Sequence, residues 1–365
     1  MTFKCEDCGK QWYYAVRKCI FCKGDVVNVA TGRSTVRGST RIDIPSPGHS
    51  RVPYYDLFLE DEHGNFHIRK SFDACALGTI IEAEAVREIP ERTVGVVGAG
   101  TMGSGIAQVC AQIGYQVILS DISEDIVKKG LGKIDQRLAK ITKVEEKDEI
   151  LGRIKTTTSL ADMADVELVE EVSIENMEVK KKVFSELDQV CSKETIFATN
   201  TSSLSLAELS QVLADPGRLV GLHFFNPVPK MQLVEIIRLD TTPEKTVEYA
   251  KQIALEMGKT PVVTGDAPGF IVNRLLLPFL NEAMDKLADG TSTAEDIDAA
   301  VTLGLNHPMG PLALSDLIGL DVCKAILEVL YEGYQDPKYK PCPTLCEMVE
   351  KGELGRKTGK GFYTY

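Results

Sequence analysis

The run Arg92-Thr93-Val94-Gly95-Val96-Val97, then Gly98-Ala99-Gly100-Thr101-Met102-Gly103, then an apolar helical stretch from Ile106 to Ile113, limits the fold of this chain more than any other feature. It reads as strand, G-x-G-x-x-G turn, helix. Each glycine has its own reason. Gly98 permits the tight turn, Gly100 lets the backbone approach a pyrophosphate, and Gly103 lets the helix pack close to the strand. The helix N-terminus adds free N–H donors and a positive dipole end. A glycine-rich turn without a ligand is the plainer alternative, but the next segment supplies the expected context. Gln116 to Ser120 reads as a second strand and ends at Asp121, roughly 20 residues beyond the glycines. An acid there accepts both ribose hydroxyls of NAD and repels the extra phosphate of NADP. No arginine follows Asp121 immediately. The expectation is an α/β dinucleotide-binding unit that takes NAD.

The chain then alternates further strands and helices. Val166 to Val172 is one strand candidate. Thr195 to Asn200 is another, leading into Thr201-Ser202-Ser203-Leu204. Hydroxyls at a strand's C-terminal end sit where doubly wound sheets bind ligands. Ser202 or Ser203 could instead cap a helix starting near Leu206. Further on, Gly221-Leu222-His223-Phe224-Phe225-Asn226-Pro227-Val228-Pro229 and Leu233-Val234-Glu235 place a histidine and an acid on either side of a proline-pinned turn. Each lies in an apolar, strand-like run. A buried histidine borrowing a carboxylate is a tuned general base. A satisfied core histidine beside a surface glutamate is the bland alternative.

Six motifs, in order, resemble those of the short-chain L-3-hydroxyacyl-CoA dehydrogenases, including 3-hydroxybutyryl-CoA dehydrogenases. They are Gly98 to Gly103, Asn200 to Leu204, Gly221 to Pro229, Pro268-Gly269-Phe270-Ile271-Val272-Asn273-Arg274, His307-Pro308-Met309-Gly310-Pro311 and Lys357-Thr358-Gly359-Lys360-Gly361-Phe362-Tyr363. The resemblance covers Thr93 to Tyr365. It implies a catalytic quartet of Ser202, His223, Glu235 and Asn273. His223 would take the 3-hydroxyl proton as hydride leaves C3 for the nicotinamide. Glu235 would hold the imidazole's tautomer, and Ser202 and Asn273 would orient the substrate's oxygens. It also implies cofactor contacts from Gly98, Gly100, Thr101, Met102 and Gly103, and from Asp121, Glu175, Lys180, Ser202, Asn226 and Lys357. Sequence alone favours Glu175 and Lys180 as a pair on a solvated helix face; Lys357, in a glycine-flanked turn, has a helix-end cation as its alternative. One region departs: Ile126 to Lys155, used partly for coenzyme A in the family, matches loosely. Ile134 stands near an expected hydroxyl. Lys140 and Lys143 are the cations available to coenzyme A phosphates, although such charges are more often simply solvated.

After Gly265-Asp266-Ala267-Pro268-Gly269 the pattern becomes helical. Ile271 to Ala288 is a long helix interrupted at Pro278, a second opens at Thr293 as cap with early acids, and Asp316 to Leu330 is a third. The resemblance implies that this part forms a homodimer and closes over the substrate. The N-terminus differs. Cys5, Cys8, Cys19 and Cys22 form two C-x-x-C knuckles, the spacing of a closed structural zinc site; two disulfides are the alternative. Residues from about Pro45 to Glu88 alternate short β-runs with turns, with a hairpin turn at Glu62-His63-Gly64-Asn65. Ribbon plus small barrel resembles the zinc-ribbon/OB-fold proteins that accompany thiolases and other acyl-CoA enzymes. This implies docking to such a partner or a role in handling acyl-CoA.

The expected layout is a zinc ribbon (1–30), an OB-like β-barrel (31–90), a Rossmann-type NAD-binding domain (91–266) and a helical dimerisation and substrate domain (267–365). A net charge of −12 argues against nucleic acid for the whole chain, although the first 41 residues are locally basic. No secretory signal or membrane span is read, and the remaining cysteines are scattered as in reducing cytosol, so a cytoplasmic enzyme is expected. The expected activity is NAD-dependent oxidation of (3S)-3-hydroxyacyl-CoA to 3-oxoacyl-CoA, and its reverse, on short chains. The rivals are a same-fold dehydrogenase of a free hydroxy acid and an accessory protein of an acyl-CoA enzyme complex.

Overall fold

The computed structural model describes residues 92–365 throughout and, before them, residues 2–5, 11–12, 26–29, 33–42, 54–61, 66–71 and 75–81. The chain divides into two compact units, Met1–Ile89 and Pro90–Tyr365.

In the first unit, strands β1 (Thr2–Cys5), β2 (Gln11–Trp12) and β3 (Val26–Val29) form an antiparallel sheet with β1 in the centre. Strands β4 (Ser34–Ile42), β5 (Tyr54–Asp61), β6 (Phe66–Ser71) and β7 (Ile80–Ile81) form a second, ordered β6-β5-β4-β7. β5 alternates as a half-buried strand should. Leu57 and Leu59 join Val36 in a small core, while Phe58 turns out and stacks on Phe66. β5 and β6 pair antiparallel, while the hairpin turn expected at Glu62-His63-Gly64-Asn65 lies outside the described residues. Cys8, Cys19 and Cys22 lie outside the described residues, as does the side chain of Cys5. Among the described residues no group of ligands capable of holding a metal is seen. The described strands of this unit form two antiparallel sheets; they do not by themselves establish the expected zinc ribbon and closed barrel.

The second unit is built on an eight-stranded sheet. Its strands are β8 (Thr93–Val97), β9 (Gln116–Ser120), β10 (Ile154–Thr157), β11 (Leu168–Glu171), β12 (Ile196–Thr199), β13 (Leu219–Phe224), β14 (Leu233–Arg238) and β15 (Thr260–Gly265). The order is β10-β9-β8-β11-β12-β13-β14-β15, parallel except where β14 turns back antiparallel to β13. The strands read as near-continuous apolar runs because helices cover both faces. On one face, Val94, Val96 and Leu222 pack against Ile106, Cys110 and Ile253 of helices α1 (Thr101–Gln112) and α6 (Glu244–Glu256), with α2 (Glu124–Leu138) and α3 (Val144–Gly152) beside them. On the other, Val97, Val169 and Phe197 meet Phe184 and Leu187 of α4 (Met177–Val190) and Leu206 and Leu209 of α5 (Leu206–Ser210). Ser205, rather than Ser202 or Ser203, caps α5: its hydroxyl accepts from the Glu208 N–H.

Beyond β15 come α7 (Val272–Ala288), α8 (Ala294–Gly304), α9 (Pro311–Ile318), α10 (Leu320–Tyr334) and α11 (Pro343–Glu350) around a separate core of Leu280, Met284, Leu312, Leu327 and Leu345. Pro278 lies within α7, and Thr293 caps α8, as its sequence indicated. The single helix expected over Asp316–Leu330 is instead α9 and α10. Gly319 between them has φ 104°, a conformation that glycine adopts without penalty and that ends a helix.

Candidate active site

The strand order reverses at β8: β9 lies to one side and β11 to the other, so a crevice opens beyond their C-terminal ends. Gly98 sits at that end of β8 with φ 112°, and a Cβ there would lie 2.4 Å from the Val172 carbonyl oxygen. A Cβ on Gly103 would come within 1.7 Å of the Gly98 carbonyl oxygen, so close packing of α1 on the strand requires glycine. Gly100 is different: a Cβ there would meet no protein atom within 4 Å. That open side, at the N-cap of α1 and ahead of Thr101 and Met102, fits close approach by a phosphate rather than protein packing. The Asp121 carboxylate is fixed beside the turn, one oxygen accepting from the Ala99 N–H at 2.7 Å and the other from the Ile122 N–H at 2.7 Å. A ribose seated on the turn would meet this acid.

The histidine and the acid meet through strand register. β13 and β14 pair antiparallel with His223 directly opposite Glu235, so twelve positions of sequence become one cross-strand contact. His223 Nδ1 lies 2.7 Å from Glu235 Oε2. The other carboxylate oxygen accepts from the backbone N–H groups of Ile271 (3.0 Å) and Val272 (2.9 Å), at the start of α7. Glu235 is 0% exposed and His223 is buried. The rings of Phe225 and Phe270 flank the imidazole at 4.6 and 5.7 Å between centroids. Asn226, at the cis bond to Pro227 beyond β13, is exposed.

One residue past Val272, Asn273 is buried and its amide donates to the Ser202 carbonyl at 3.3 Å. The Ser202 hydroxyl donates to Glu175 Oε1 at 3.1 Å, and the same oxygen accepts from the Ser202 N–H (2.8 Å), the Thr201 hydroxyl (2.7 Å) and the Ser203 N–H (3.2 Å). Glu175 therefore organises the hydroxyl loop. A continuous set of contacts thus joins His223, Glu235, Asn273, Ser202 and Glu175.

Lys180 is not on a solvated helix face. It is 1% exposed, its ammonium 2.8 Å from Glu171 and 3.7 Å from Glu175. It supports the crevice from beneath. Lys357 lies in the helical part, paired with Asp321 at the start of α10; no described contact brings it to the glycine turn. Several residues at the site carried little sequence signal. Buried Glu171 anchors Lys180 and accepts from Thr199 at 2.8 Å. Asn200 accepts from the Phe224 N–H at 2.7 Å, tying the ends of β12 and β13. Lys259 is buried, and its ammonium donates to the carbonyls of Val228 (2.6 Å) and Met231 (2.9 Å), fixing the loop after Pro227. Burial holds its pKa below the ordinary lysine value. In the sequence Lys259 stands alone before β15, with nothing to mark it.

Taken together, these features are those of an NAD-dependent oxidoreductase that carries a buried histidine paired with an acid. Comparison with known proteins agrees. Residues 93–267 match the 3-hydroxyacyl-CoA dehydrogenase NAD binding domain, and residues 269–365 match the C-terminal domain of the same family. A 3-hydroxybutyryl-CoA dehydrogenase of Bradyrhizobium diazoefficiens is 48% identical over 279 residues, covering 75% of this chain and 95% of that protein. Its counterpart in Clostridioides difficile is 46% identical over 275 residues, 74% of this chain and 98% of the relative. The crystal structure of (S)-3-hydroxybutyryl-CoA dehydrogenase from Ralstonia eutropha superposes with a TM-score of 0.72 at 45% identity, over 76% of this chain and 99% of that one. The chain belongs to the 3-hydroxyacyl-CoA dehydrogenase family. The two family matches begin at residue 93 and leave out the first unit.

Proposed function

We propose that the protein oxidises short-chain (3S)-3-hydroxyacyl-CoA to 3-oxoacyl-CoA with NAD and catalyses the reverse. The observation that carries this is the contact between His223 Nδ1 and Glu235. With the Nδ1–H donated to the carboxylate, Nε2 keeps its lone pair and is the nitrogen left to take a proton. His223 takes the 3-hydroxyl proton at Nε2, and Glu235 stabilises the imidazolium that results. In the reverse direction Nε2–H returns the proton to the forming alkoxide. Ser202 and Asn273, linked to each other, orient the substrate's oxygens. The crevice fits NAD: an open glycine at a helix N-terminus for the pyrophosphate, and the Asp121 carboxylate for the ribose. When bound there, NAD supplies the hydride acceptor. The thioester substrate class is supported by the relatives, named for 3-hydroxybutyryl-CoA.

The test is NADH consumption with acetoacetyl-CoA, with free acetoacetate and NADPH in parallel. Rapid loss of NADH with the thioester alone is expected. Equal rates with the free acid would refute the substrate class. For the first unit, the paired cysteines support a structural zinc and docking to a thiolase-type partner; for the helical part, the resemblance supports a homodimer. Metal content of the purified protein and light scattering test the zinc and the dimer.

A further inference from the structure

The acid that orients the catalytic histidine is held from a different domain. Glu235 sits on the sheet, yet one of its oxygens is engaged entirely by the N–H groups of Ile271 and Val272 at the head of α7. Among the described residues, no lysine or arginine is paired with this buried carboxylate. What compensates its charge is the imidazole N–H and these two amides. The turn that aims the amides is unusual. Gly269 and Phe270 are both left-handed, with φ of 74° and 49°. The first has no side chain to object. The second has a full aromatic side chain, and a bulky residue at positive φ is an outlier held only by its surroundings. The Phe270 N–H donates to the Ala267 carbonyl at 2.9 Å, and its ring is buried in the apolar core beside the sheet and packs on His223 at 5.7 Å between centroids.

We propose that Phe270 is a positioning residue for the proton transfer. Its ring, anchored on the imidazole, locks the left-handed turn. The turn in turn points two N–H groups of the helical domain at Glu235. With those donors in place the carboxylate is an acceptor on both oxygens, and His223 must present its proton at Nδ1. Without them, a dry carboxylate would be poorly compensated and would take up a proton from solvent. Nδ1 would then accept, Nε2 would carry the ring proton, and no base would face the substrate. Phe270 acts through Glu235 and His223 and touches neither hydroxyl nor hydride. The proposal rests on the His223 mechanism above.

Phe270→Ala and Phe270→Gly separate positioning from filling. Both remove the ring, but only glycine accepts positive φ freely. If the turn matters, Phe270→Gly keeps the clamp better than Phe270→Ala. Turnover of acetoacetyl-CoA should fall on the order of a hundredfold in Phe270→Ala and markedly less in Phe270→Gly. KM for NADH should stay put in both. NMR of the histidine ring nitrogens should place the His223 proton on Nδ1 in the parent and on Nε2, at least in part, in Phe270→Ala. A ring that merely fills space predicts the opposite order, since glycine leaves the larger hole and the looser chain. Phe270→Ala matching or exceeding Phe270→Gly, or an unchanged His223 tautomer despite lost turnover, overturns the proposal. Should Phe270→Ala not fold, Phe270→Asn must preserve the parent tautomer, because asparagine tolerates the left-handed region; loss of that tautomer also overturns it. If the parent does not turn over acetoacetyl-CoA, the functional reading fails, and the tautomer comparison still decides this one.

Discussion

Glu235→Gln is the most searching single substitution in this protein, because the surroundings dictate which way the new amide must face. Ile271 and Val272 both present N–H groups to one carboxylate oxygen, at 3.0 and 2.9 Å. The glutamine carbonyl has to take that place, since an NH₂ there would face two donors with a third. The NH₂ is therefore turned toward His223 Nδ1, 2.7 Å away in the parent. Nδ1 must accept, so the ring proton sits on Nε2 and the general base is gone. An inverted tautomer in a histidine–acid pair costs about 10⁴ in turnover, about 5.4 kcal/mol of transition-state stabilisation. Shape and volume hardly change and both backbone donors remain satisfied, so stability should fall by only about 1 kcal/mol. The assay is kcat for acetoacetyl-CoA reduction at saturating NADH, with NADH binding measured separately by fluorescence titration. Binding should be unchanged, because the pair lies on β13 and β14 and the glycine turn on β8. Turnover within tenfold of the parent would refute the argument. It would mean that the amide had flipped, or that His223 is not the base.

Two further predictions concern other parts of the sheet. Asp121→Asn keeps the hydrogen bond that Asp121 accepts from Ala99 but removes the charge facing the ribose. The Kd for NADH should rise by roughly ten- to a hundredfold, the worth of one or two charge-assisted hydrogen bonds, and the preference over NADPH should narrow; an unchanged Kd ratio by titration would exclude Asp121 from the ribose. Glu170 lies in the middle of the sheet, buried, with neither carboxyl oxygen hydrogen-bonded. Burial first, and then the charge of Glu171, push its pKa well above the usual carboxylate range. A raised folded value means that folding favours the protonated form. This stability is present at low pH and is lost as pH rises from the ordinary carboxylate value toward the folded one, by up to about 1.4 kcal/mol per pH unit. Glu170→Gln should flatten that dependence in denaturant titrations. Glu170→Leu should in addition stabilise the chain by about 1–3 kcal/mol, by removing two orphaned oxygens. Parent and Glu170→Gln falling in parallel from pH 5 to pH 8 would show that the acid is not neutral in the fold.

What could be read from the chain follows from how local each feature is. The glycine turn, the strands around it and Asp121 were legible because a turn that needs glycine, and an acid at the next strand's end, are short-range demands. The N-cap at Thr293 was legible for the same reason. The split at Gly319 was not, because its cause is a single φ of 104° inside an otherwise unbroken apolar pattern. The pairing of His223 with Glu235 could be suspected from two strand-like runs flanking a proline turn, but it depends on register, and a slip of one residue would have put them on opposite faces.

Least legible were the groups whose importance arises only in three dimensions. Lys180 looked like a surface cation because Glu175 lies five positions away; the residue that buries it is Glu171, on the neighbouring strand end. In the sequence Phe270 stood out only as one residue of the Pro268–Arg274 motif. The role proposed for it depends on its positive φ, on the imidazole tilted against its ring and on Glu235, 35 positions earlier in the chain. On the proposed mechanism, the sequence names the atoms that do chemistry, while the atoms that fix their protonation are supplied by domain packing. On the proposed mechanism, a substitution at Phe270 lowers turnover with Ser202, His223, Glu235 and Asn273 all intact in the sequence.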